Sequence, residues 1–157
     1  VRLLAPERVA RDPARRLRVV AAGGGTGLPR VLAGLALAPG VELSAVVTIA
    51  DDGGSSGELR RAYGVPAPGD ARNCLVALAG AASPWAALFQ HRFDGGALSG
   101  HTVGNVVITA LAQRLGDFGE AVGVAGRLLG ARGRVLPAAE GAVALVATLA
   151  DGREVRG

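Results

Sequence analysis

Val19-Val20-Ala21-Ala22-Gly23-Gly24-Gly25-Thr26-Gly27-Leu28 decides how this chain folds. An apolar run of strand length meets three consecutive glycines and then a helical pattern, expected from about Leu28 to Leu37. Glycine lets the backbone adopt φ > 0 and lets another group approach the main chain closely. The helix presents unpaired N–H groups and the positive end of its dipole to whatever sits at the turn. Phosphate is the usual anion there. Thr26 adds a hydroxyl that can reach a phosphate or cap the helix. The dinucleotide fingerprint G-x-G-x-x-G is incomplete, with Leu28 or Arg30 at the third glycine, depending on the frame. A P-loop is excluded, since the chain has no lysine. The bland alternative is a tight strand-to-helix turn without a ligand.

Downstream, Val41 to Ala50 reads as a second strand, rich in β-branched residues. A right-handed β–α–β unit puts both strand ends on one side of a parallel sheet, where ligands of such sheets bind. Asp51-Asp52-Gly53-Gly54-Ser55-Ser56-Gly57 falls there. Adjacent carboxylates repel, so one should meet a cation, a ribose hydroxyl or a helix N-terminus. Asp51 sits where a ribose-binding acid would. The glycine–serine loop can wrap a second phosphate, and the Asp pair can help hold Mg²⁺. An Asx-turn with capping serines is the alternative.

Asp70 is expected to cap a helix running to Ala79, with Arg72 and Asn73 in its first turn. A cation there opposes the dipole, so Arg72 calls for an acid or a ligand phosphate as partner. His101 and Asn105 are expected to share one face of a helix running to about Arg114. His101 can meet a phosphate or move a proton, and Asn105 can read a base or sugar hydroxyl. A capping role is the ordinary alternative for His101. Asp117 should cap a helix over Phe118 to Leu129. Arg134 to Pro137 follows a glycine turn, Val143 to Leu149 reads as a strand, and Asp151-Gly152 signals a hairpin.

The 157 residues suit one domain, with residues 1–16 as a basic extension and 17–157 as the folded part. Half of the residues are hydrophobic but only 3% aromatic, so Ala, Val and Leu must build the core. All 17 basic residues are arginines, a usage that reads as codon bias. Without interleaved aromatics, the net charge of +4 does not point to nucleic acid. One cysteine, Cys74, allows no internal disulfide and suits a reducing compartment. No signal peptide is visible, and the longest charge-free run, Asn73 to Gln90, is broken by Gly80, Ser83 and Pro84, so membrane association is not expected. The chain lacks methionine and stops on strand-like sequence, so the expectation is part of a larger domain. The fold class expected is α/β: a Rossmann-like parallel sheet with flanking helices and a C-terminal antiparallel hairpin.

GGGTGL, VTIADDGGSSGELRR, PAPGDARNCLVALA, LFQHRF, LSGHTVGN and RGRVLPA follow one another from residue 23 to residue 138. In that order they resemble the gluconeogenesis factor family, the YvcK-type members of the CofD-like group. The resemblance runs from about Leu17 to the end and covers about the first half of the family pattern. It implies a cytoplasmic bacterial protein that binds a nucleotide sugar of the UDP-N-acetylglucosamine kind. The roles implied are growth on gluconeogenic carbon sources and cell shape, by regulation rather than turnover. On this reading Gly24, Gly25, Thr26 and Gly27 hold the diphosphate, and Asp51 and Asp52 orient ribose or sugar. Arg72, Asn73, His101 and Asn105 complete the pocket. No catalytic residue and no protein-held metal is assigned, and a homo-oligomer is possible. The CofD relatives imply an alternative, an Mg²⁺-dependent transferase joining 2-phospho-L-lactate to a deazaflavin. An NAD-binding domain is a third reading, opposed by the incomplete fingerprint.

Overall fold

The computed structural model describes residues 16–141 and 143–156. The basic extension expected over residues 1–16 therefore lies almost wholly outside the described residues. Strand β1 (Leu17–Gly23) turns through the glycines into helix α1 (Gly27–Leu35), and β2 (Val41–Val47) returns beside β1. Helices α2 (Gly54–Tyr63), α3 (Gly69–Ala79), α4 (Pro84–Gln90), α5 (Val103–Leu115) and α6 (Phe118–Leu129) follow. Strand β3 (Arg134–Pro137) then joins the sheet, and β4 (Val146–Thr148) and β5 (Glu154–Arg156) form the hairpin. The sheet order is β1-β2-β3, all parallel, with Ala21, Ala45 and Val135 in one row. The hairpin is antiparallel and separate from that sheet.

Period-two patterning selects the buried face. Leu43, Ala45 and Val47 of β2 and Val135 of β3 are buried, and α1, α3 and α6 pack against the sheet. Phe89, Leu75, Leu78, Ile108 and Val122 continue the core between the helices. Cys74 lies in it too, fully buried as a small apolar residue. Parallel sheets are ordinarily covered on both faces. Here the second face carries Val20 and Leu136 exposed among the described residues.

Three expectations about elements need correction. Strand β2 ends at Val47 rather than Ala50, because its partners end there: Gly23 and Pro137 both register with Val47. The glycine–serine stretch is not a loop but the first turns of α2. Leu59, Arg60, Arg61 and Ala62 are good helix formers, the two arginines favour the negative end of the dipole, and Ser55 and Ser56 turn inward. Helix α5 begins at Val103 with Thr102 as its cap, so His101 lies outside it and shares no helical face with Asn105. The Asp117 cap of α6 is as expected: its Oδ1 accepts the Glu120 N–H at 2.6 Å.

Candidate anion-binding site at the strand ends

The glycine turn is closed by a carboxylate of the protein itself. Gly25 takes φ +62° and donates its N–H to Asp70 Oδ2 at 2.8 Å. The same oxygen accepts the Thr48 hydroxyl at 3.0 Å. A Cβ at Gly24 would stand 1.8 Å from Thr48 Oγ1 and 2.6 Å from Asp70 Oδ2, so only glycine admits this approach. Asp70 is thus not the cap of α3. That position is Pro68, and the carboxylate reaches across to β1 and β2 instead. Thr26 occupies the cap position of α1 without a side-chain hydrogen bond and is exposed, as is Gly27.

Beyond Asp70 lies a cavity of about 200 Å³, lined among others by Asp51, Gly54, Ser55, Arg72, Asn73, Arg92 and Asn105. It gathers four of the residues expected from sequence: Asp51, Arg72, Asn73 and Asn105. Asp51 folds back on its own backbone, its Oδ1 accepting the Gly53 N–H at 2.9 Å. Asp52 turns the other way and pairs with Arg60, which relieves the repulsion between adjacent carboxylates. Asp51 keeps its second oxygen toward the exposed side, and among the described residues no three His, Cys, Asp or Glu side chains gather as a metal site.

Arg72 dominates the cavity. It is only 7% exposed, its stem lying over Gly104. A Cβ at Gly104 would come within 2.8 Å of that stem. One guanidinium nitrogen, Nη2, donates to Asn73 Oδ1 at 2.7 Å, while Nε and Nη1 are buried without a partner among the described residues. Burial lowers the Arg72 pKa, the nearby Arg92 lowers it further, and Asp70 opposes both. Unpaired donors of a buried cation are costly, and a multivalent oxyanion would satisfy them. Asn105, 3% exposed, is similar: Nδ2 donates to Ser55 Oγ at 3.0 Å, and Oδ1 is buried without a partner among the described residues.

The sequence reading missed Thr48 and Arg92, and took Ser55 only as part of a glycine–serine loop for a second phosphate. Arg92 resembles any surface arginine after a helix, but an antiparallel bridge between Arg92 and Thr102 fixes it beside the start of α5. The signal for Ser55 was its spacing in Gly53-x-Ser55-x-Gly57. His101 stands behind the cavity wall, with Nδ1 3.0 Å from Ser55 Oγ.

These features define a Rossmann-like α/β domain with a polar cavity, lined by two arginines and two aspartates, beyond the carboxyl ends of its strands. The chain belongs to the CofD family: the family model described as 2-phospho-L-lactate transferase CofD matches residues 19–157. The gluconeogenesis factor of Bacillus subtilis is 49% identical over 136 residues, which are 86% of this chain and 43% of the relative. The gluconeogenesis factor of Listeria monocytogenes is 45% identical over 141 residues, 89% of this chain and 44% of the relative. A crystal structure of a Bacillus halodurans protein superposes with a TM-score of 0.84 at 44% identity, covering 91% of this chain and 46% of that one. The chain thus spans a little under half the length of these relatives. No helix among the described residues is long and apolar enough to cross a membrane.

Proposed function

We propose that this protein binds the diphosphate of a nucleotide sugar, of the UDP-N-acetylglucosamine kind, in the Arg72–Arg92 cavity. On this reading it is a cytoplasmic regulator, a gluconeogenesis factor that couples sugar-nucleotide supply to carbon use and cell shape. The observation that carries the binding is Arg72: a buried guanidinium, two of its nitrogens unpaired among the described residues, that lines a cavity at the strand ends together with Arg92. A diphosphate offers acceptors to the unpaired Arg72 nitrogens and charge to both arginines. Asn105 Oδ1 offers an acceptor for a ribose or sugar hydroxyl. The likeness to gluconeogenesis factors supports the regulatory role.

A thermal-shift screen tests the reading, because a ligand that binds only the native state raises the midpoint. The ligands are UDP-N-acetylglucosamine, GDP and NAD, each with and without Mg²⁺. A shift with the UDP-sugar that persists in EDTA is expected. A shift with GDP alone that requires Mg²⁺ would favour the transferase instead.

A further inference from the structure

Ser55 has the surroundings of an activated hydroxyl. Its Oγ lies 3.0 Å from His101 Nδ1, and the opposite ring nitrogen, Nε2, faces Glu58 Oε2 at 3.4 Å. The carboxylate favours the tautomer protonated at Nε2, which leaves the Nδ1 lone pair to accept the Ser55 hydroxyl proton. Asn105 Nδ2 donates to one Oγ lone pair at 3.0 Å. The second lone pair has no donor among the described residues, and Ser55 forms part of the cavity wall with Arg72 and Arg92.

The local chain agrees with this. Gly53-Gly54-Ser55-Ser56-Gly57 has the G-x-S-x-G spacing of a serine nucleophile presented between a strand and a helix. Here the stretch opens α2 itself, with Gly53 as the cap and Ser55 as the second helical residue. Gly57 is required by close packing, since a Cβ there would stand 1.9 Å from the Asp52 carbonyl oxygen. The positive φ of the turn falls on Gly54, at +47°, so Ser55 itself keeps an unstrained backbone.

We propose that Ser55 is a nucleophile toward phosphorus, with His101 as its base and Glu58 as a positioning residue. The substrate class is a phosphoric ester or anhydride whose phosphoryl oxygens lie against Arg72 and Arg92, so the proposal rests on the anion-site reading of the cavity. An Oγ electron pair forms the new O–P bond, and the hydroxyl proton passes to His101 Nδ1. The P–O bond to the leaving group breaks and its electron pair departs with the leaving oxygen. That oxygen takes the proton from His101, or the proton passes to water when the leaving group is a weak base. The product is a phosphoserine at Ser55, open to attack by a second acceptor.

The test uses acetyl phosphate as phosphoryl donor and tandem mass spectrometry of the purified protein. One phosphoryl group is expected, on Ser55. His101→Gln should slow labelling at least about a hundredfold, the lower end of what a general base contributes. Glu58→Gln, whose amide oxygen still accepts from Nε2, should retain most of the rate that Glu58→Leu loses. A parallel thermal-shift titration with inorganic phosphate reads the anion site separately. Protein that responds to phosphate yet carries no label on Ser55, or labels equally fast in His101→Gln, would overturn the nucleophile and leave the anion site standing. No response to phosphate would overturn both.

Discussion

Asp70 Oδ2 stands 2.8 Å from the Gly25 nitrogen, so the start of α3 is tied to the turn between β1 and α1. Through the Thr48 hydroxyl the same oxygen is also tied to the chain leaving β2. One carboxylate thereby holds three segments that border the strand ends.

Asp70→Asn should move stability and anion binding in opposite directions. It weakens two charge-assisted hydrogen bonds, at a cost of about 2 kcal/mol. It also removes a negative charge from the cavity that holds Arg72 and Arg92. Urea unfolding should show the loss, and calorimetric titration with pyrophosphate should show tighter binding.

The glycines of the turn should differ from one another. Gly24→Ala drives a Cβ into the Thr48–Asp70 pair and should cost about 2–3 kcal/mol, as overpacking does. Gly25→Ala meets open space but is strained at φ +62°, at about 1–2 kcal/mol. Gly27→Ala, also in open space and within α1, should stabilise by about 0.5–1 kcal/mol. Denaturation midpoints of the three variants check the order.

Alkaline pH should destabilise the fold through Cys74. Burial, and then the nearby Asp70, push its thiol from 9.0 up to about 12. The folded state thus keeps a proton that the unfolded state loses. The contribution is fully present below pH 9 and is lost as pH rises toward 12, with a slope of up to about 1.4 kcal/mol per unit. Urea unfolding at a series of pH values should show this slope, and Cys74→Ala should flatten it.

Much of this was legible along the chain and some of it was not. The β1–turn–α1–β2 unit declared itself because apolar runs of strand length flank consecutive glycines. The Asp117 cap was readable because its partner, the Glu120 N–H, is three residues away. Asp70 misled for the opposite reason. An acid at a helix start ordinarily caps it, but here Gly25 and Thr48, 45 and 22 residues away, take the carboxylate. Ser55 joins Asn105 and His101 across 50 and 46 residues, a convergence no local pattern encodes. Arg72 was legible as a cation in need of a partner, but its burial depends on Gly104, which lies on another helix.

Isothermal titration with UDP-N-acetylglucosamine, on the wild-type protein and Arg72→Met, tests the central claim most directly. Methionine fills the buried stem position without the charge, and circular dichroism checks that the fold survives. The account predicts saturable binding to the wild type and at least a tenfold weaker affinity for Arg72→Met, about 1.4 kcal/mol or more. Equal affinity in the two proteins, or no binding to the wild type, would contradict it.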